Sequence, residues 1–91
     1  MNKLLYKIHV RGHVQGVGFR WSAVHEAKNL NITGYVKNLP DGSVHIEAEG
    51  YREQLEQFVE WCRKGPGFGI VDSVDFDSFP PAGYIQFLID H

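Results

Sequence analysis

Apolar and polar positions change period several times along the chain, and each change marks an element. Tyr6, Ile8 and Val10 alternate with Lys7, His9 and Arg11, the period-2 pattern of a strand with one buried face. Ala23, Ala27 and Leu30, with Val24 beside them, recur at helical spacing and predict a first helix from about Arg20 to Leu30; Asn29 and Asn31 are suited to end it. Ile32 to Leu39 reads as a second strand. Pro40-Asp41-Gly42 is then a turn, because proline presets φ and Asp-Gly accepts positive φ. Val44, Ile46 and Ala48 alternate with His45, Glu47 and Glu49 in the returning strand of a hairpin. Leu55, Phe58, Val59 and Cys62 lie at i, i+3, i+4 and i+7 with polar residues between them, the clearest amphipathic helix in the chain. Gly65-Pro66-Gly67 ends it. Ile70 to Phe79 reads as a fourth strand, with Val74 and Phe76 facing in and Asp75 and Asp77 out. Pro80-Pro81-Ala82-Gly83 interrupts, and Tyr84 to Ile89 forms a last strand or tail.

The order is β-α-β-β-α-β plus a final strand. It predicts an α+β fold, the ferredoxin-like βαββαβ sandwich: an antiparallel sheet with two helices on one face and a short fifth C-terminal strand. The first and second strands run in the same direction, because a helix returns the chain between them, so their carboxyl ends share one edge of the sheet. The segment after the first strand should therefore neighbour Asn38, at the end of the second.

A length of 91 residues leaves room for one domain, residues 1–91. Nine basic and eleven acidic residues give a net charge of −2, which predicts no broad attraction to nucleic acid or to an anionic membrane. An anion would have to be gripped by a local site. Cys62 is the only cysteine and cannot form an internal disulfide, so a reducing cytoplasm is the expected location. Met1 to Ile8 contains no long apolar run, and neither a signal peptide nor a membrane span is expected.

The chemistry concentrates in Gly12-His13-Val14-Gln15-Gly16-Val17-Gly18-Phe19-Arg20, which joins a strand to a helix. Glycines allow successive N–H groups to point inward, and a helix N-terminus adds unpaired donors and partial positive charge. Arg20 supplies a full charge and a planar fork that matches two phosphate oxygens. The plain alternative is that the glycines only turn the chain and Arg20 is solvated. An arginine at a helix start, however, opposes the macrodipole unless an anion sits between them. Nucleotide loops fail on detail: Gly16-Val17-Gly18 lacks the third glycine of the dinucleotide fingerprint, and no Gly-Lys-Ser/Thr occurs.

Gly12-x-Val14-Gln15-Gly16-Val17-x-Phe19-Arg20 resembles the first signature of the acylphosphatase family. Gly34-Tyr35-Val36-Lys37-Asn38-x-x-Asp41-Gly42-x-Val44, closed by Gly50, resembles the second. The resemblance covers essentially the whole chain. It departs from the family at Gly69, where an alanine two residues before a valine is usual, and in the acidic ending Phe87-Leu88-Ile89-Asp90-His91. The resemblance implies an enzyme that hydrolyses small acyl phosphates. The backbone of Gln15, Gly16, Val17, Gly18, Phe19 and Arg20 would cradle the phosphoryl group, Arg20 would pair with its oxygens, and Asn38 would hold the attacking water. No metal or other cofactor and no macromolecular partner is implied, and a monomer is expected.

Other candidates read as ordinary structure. The five histidines are scattered, and His9 and His13 do not share a face on a strand running into a loop. Cys62 reads as a core residue, and Glu47, Glu49, Glu53, Glu56 and Glu60 as solvated faces. An RNA-binding sheet of the same topology would need stacked aromatics on its central strands, and these are absent. Two further alternatives are a non-catalytic anion-binding or regulatory module with the same loop, and a unit serving a larger carbamoyl-phosphate-handling enzyme. Arg20 together with Asn38 favours the enzyme over a pure binder, and a 91-residue chain with its own final strand is expected to stand alone.

Overall fold

A computed structural model describes residues 2–67 and 69–91. The elements are β1 (Leu4–His13), α1 (Phe19–Asn29), β2 (Thr33–Asn38), β3 (Val44–Gly50), α2 (Arg52–Lys64), β4 (Ile70–Phe79) and β5 (Phe87–Asp90). They form one five-stranded sheet in the order β4-β1-β3-β2-β5. β3 lies antiparallel between β1 and β2, and β4 is antiparallel to β1. The ferredoxin-like order predicted from the element sequence is therefore present. One expectation is corrected: β5 pairs parallel to β2, in the register Gly34 with Phe87 and Val36 with Ile89, so the sheet is mixed.

Both helices lie on one face, α1 against β2 and β5, and α2 against β1, β3 and β4. The alternating side chains Ile8, Val10, Val36, Val44, Ile46 and Ala48 are fully buried beneath them. α1 contributes Phe19, Ala23 and Ala27, and α2 contributes Leu55, Phe58, Val59 and Cys62. Burial pushes the Cys62 thiol far above its ordinary pKa, so it is an inert core group rather than a nucleophile. Phe76 was expected to face in. It stacks on Tyr6 at a centroid distance of 4.7 Å, yet it is 39% exposed, because β4 is an edge strand that the helices only partly cover.

The open face departs from expectation. Glu47 and Glu49 were read as solvated, but Glu49 is 4% exposed and Glu47 is half-buried. β4 and β5 occupy opposite edges, about 19 Å apart at ordinary strand spacing, and residues 80–86 must span that distance. The two carboxylates anchor the crossing. Glu49 Oε1 accepts the Ala82 and Gly83 N–H groups at 2.6 and 2.9 Å, and Glu47 accepts the Tyr84 hydroxyl at 2.7 Å and the Tyr35 hydroxyl at 3.0 Å. Burial pushes the Glu47 pKa up, but the donors Tyr84, Tyr35 and His45 outweigh it and hold the carboxyl below its ordinary value. Burial and the same bond push the Tyr84 hydroxyl up to about 12, so it remains a donor at neutral pH.

Because the folded pKa of Glu47 is depressed, its contribution is complete above the ordinary glutamate pKa, about 4.3, and is lost as pH falls through the lower folded value. Glu47→Gln should destabilise the protein by about 1–3 kcal/mol at pH 7. It should also show a shallower loss of stability than the parent below about pH 4.3. Urea unfolding from pH 7 to pH 3 measures both, and an unchanged acid slope would show that Glu47 is not the linked group.

Candidate active site

The turn after β1 uses its glycines for two different purposes. Gly12 belongs to the sheet: the β1–β4 register shifts between Arg11 and Gly12, its φ is 137°, and a Cβ there would collide with the Ile70 carbonyl. Gly16 and Gly18 have φ of 75° and 79°, with open space where a side chain would stand, so their constraint is backbone conformation alone. Val17 between them has negative φ. The hand of the backbone therefore alternates across the turn, a feature shared with anion-binding nests.

Gly18 is also the N-cap of α1 and makes no side-chain cap bond. Among the described residues, no N–H from Gly16 to Trp21 donates to a backbone carbonyl; the first internal bond of the helix runs from Ser22 N to Gly18 O at 3.0 Å. The unpaired donors of the helix N-terminus thus directly follow the turn. The first turn of α1 holds no acidic residue, and among the described residues no carboxylate lies within 4.0 Å of the half-buried Arg20.

Asn38 ends β2, on the same sheet edge, as strand direction requires. A cavity of about 130 Å³ is lined by Val14, Gly16, Gly18, Phe19, Arg20, Trp21 and Asn38. The tertiary fold therefore brings together Gly16, Gly18, Phe19, Arg20 and Asn38. It does not bring Gln15 and Val17 into that lining: Val17 packs against the core. The Gln15 carboxamide instead donates to the Leu39 carbonyl at 2.7 Å and the Ser43 carbonyl at 2.8 Å. It thereby ties the loop to the hairpin that carries Asn38. Asn38 Oδ1 is buried and has no hydrogen-bond partner among the described residues, an uncommon condition for a side-chain oxygen.

Beside this tie lies a hydrogen-bonded chain that sequence reasoning missed. Asp41 accepts from both the backbone N–H (3.0 Å) and the hydroxyl (2.5 Å) of Ser43, which hold its carboxyl below the usual range. The Ser43 hydroxyl has one proton and gives it to Asp41, so His9 Nε2, at 2.6 Å, is the donor to Ser43 Oγ. A nucleophilic serine would need the histidine as acceptor, so the chain braces the turn and is not a hydrolytic triad. A short Asp-x-Ser turn is a local signal for the first half of this chain. His9 could be found only from the β1–β3 register. Sequence reasoning also missed Trp21, on the rim. Among the described residues, no group of three or more His, Cys, Asp and Glu side chains converges as a metal site.

At Gly69, a departure noted in the sequence, an alanine Cβ would stand 3.2 Å from the His13 carbonyl and 3.3 Å from Val17. The loop is packed so closely there that a methyl would need its neighbours to shift.

The fold and site define a class: a ferredoxin-like α+β sandwich in which a glycine-rich turn, Arg20 and Asn38 border one small cavity at the start of its first helix. A family model described as Acylphosphatase matches residues 6–89. An acylphosphatase of Thermotoga petrophila is 45% identical over 85 residues, covering 93% of this chain and 94% of that protein. The crystal structure of an acylphosphatase from Bacillus subtilis superposes with a TM-score of 0.94 at 39% identity, covering 97% of this chain and 99% of that one. The crystal structure of T. kodakarensis HypF matches with a TM-score of 0.82 at 39% identity over 94% of this chain, but only 12% of the HypF chain. This chain belongs to the acylphosphatase family.

Gln15→Ala would leave two carbonyls without their donor and free the loop from the hairpin. It should lower stability by about 1–3 kcal/mol, and inorganic phosphate should bind several-fold more weakly. Gln15→Glu should be worse, since it turns a carboxylate toward both carbonyls. Thermal unfolding and phosphate titration of the two variants check this order.

Proposed function

We propose that this protein hydrolyses the carboxyl–phosphate bond of small acyl phosphates to a carboxylate and inorganic phosphate. In this reading the amides of residues 15–20 and the Arg20 guanidinium hold the phosphoryl group, and Asn38 positions the water. Family membership supports the reaction: the chain is an acylphosphatase, an acyl phosphate phosphohydrolase. The observation that supports the residue roles best is that Arg20 and Asn38 line one small cavity with Gly16 and Gly18.

So sparse a site suits the chemistry. The leaving group is a carboxylate whose conjugate acid has a pKa of about 4.3, so no general acid is required. The phosphoryl group in flight spreads negative charge over its equatorial oxygens, and positioned amides with one guanidinium meet that demand. The buried Asn38 oxygen can accept a hydrogen bond from water and orient it for in-line attack. A substrate phosphate oxygen can take the water's proton. We further propose one domain over residues 1–91, acting as a monomer in the cytoplasm with no nucleic-acid or membrane partner. The buried, unpaired Cys62 and the net charge of −2 support that setting, and no described helix is long and apolar enough to cross a membrane.

Benzoyl phosphate with metal-free protein in chelator is the direct assay; phosphate binding without turnover would favour the non-catalytic module. Arg20→Ala should lower kcat/KM by at least about 10³-fold, because a charge-assisted fork is lost from the transition state. Asn38→Ala should lower kcat while inorganic phosphate, measured as a competitive product inhibitor, still binds. Loss of phosphate binding with turnover intact would overturn the water-holding role.

A further inference from the structure

Trp21 lines the site, is given no task by the hydrolytic reaction and, unlike the buried Val14, is not held there by the core. The residue is 75% exposed, although the helix that carries it buries Phe19, Ala23 and Ala27. Position 21 lies off that buried stripe, so packing does not account for a large aromatic there. Trp21 also stands where two concavities meet. It lines the 130 Å³ cavity with Arg20 and Asn38, and a wider cleft of about 420 Å³ with Ser22, His25, Glu26, Trp61 and Pro66. Trp61 is fixed from behind by Phe19 and Phe58, at centroid distances of 5.4 and 5.8 Å, so the far wall of that cleft is braced by the core.

We infer that Trp21 and the cleft behind it form the acyl-group subsite, and that the enzyme favours acyl phosphates with aromatic acyl groups. The inference rests on the placement of the phosphoryl group among residues 15–20. The small cavity falls below the roughly 300 to 1,000 Å³ of pockets that enclose whole organic ligands, so it has room for the phosphoryl end alone, and the adjoining cleft is a wider, open depression. An acyl phosphate seated by its phosphoryl end must carry its acyl arm out over the rim, and Trp21 is the rim. An indole face there offers apolar contact and stacking to a planar acyl group, and offers an acetyl group much less.

The test compares kcat/KM for benzoyl phosphate and acetyl phosphate in the parent, Trp21→Ala and Trp21→Phe. The expected result is that the benzoyl-to-acetyl ratio falls about tenfold in Trp21→Ala, chiefly through KM for benzoyl phosphate, and returns to within about threefold of the parent in Trp21→Phe. An unchanged ratio, or a fall carried by kcat alone, overturns the subsite. Arg20→Ala separates the two levels. If it turns over both substrates as fast as the parent, the phosphoryl placement is wrong. If it loses both while Trp21→Ala leaves the ratio unchanged, only the subsite is wrong.

Discussion

The Gln15 carboxamide joins the two halves of the site, and it does so with donors rather than charge. One side-chain nitrogen reaches the carbonyls of Leu39 and Ser43, on either side of the turn that follows Asn38. Through it, the amide-lined loop after β1 and the end of β2 are held as one unit. Backbone donors keep their direction only while the chain behind them is fixed, so an anion cradle made of amides is as rigid as its anchorage. The sheet provides the rest of that anchorage, with β3 hydrogen-bonded to both β1 and β2.

The same economy governs charge. The protein is slightly acidic, yet among the described residues no carboxylate pairs with Arg20 and the first turn of α1 holds no acidic residue. The carboxylates that are buried sit on the opposite, open face, where Glu47 and Glu49 receive hydroxyl and amide protons from the segment crossing between β4 and β5. Each buried charge is thus met by several hydrogen bonds, which is the condition under which burial is tolerated. The candidate site, at the edge where β1 and β2 end, is thus separate from the buried carboxylates.

Much of this was legible along the chain. The two helices, the hairpin at Pro40-Asp41-Gly42 and the β4 span follow from periodicity and turn chemistry, because these are local properties of a few consecutive residues. The nearness of the loop to Asn38 was also foreseeable, since strand direction alone places both at one edge. The double use of glycines was not, because Gly12 is required by a contact with Ile70, distant in sequence. Nor was the burial of Glu47 and Glu49, whose alternation on β3 is that of any exposed face until a later segment lies across it.

Sequence alone determined the candidate residues, a glycine-punctuated strand-to-helix turn, Arg20 and Asn38, and the element order that brings them near. Only the tertiary structure decided how they are held and what borders them. It assigned the Gln15 side chain to bracing the hairpin, set His9, Ser43 and Asp41 in one hydrogen-bonded chain, parallelled β5 to β2, and left Trp21 at the rim between two concavities. The reason is physical. Local conformation answers to neighbours a few residues away, whereas support, burial and the shape of a cavity answer to groups brought together from distant parts of the chain.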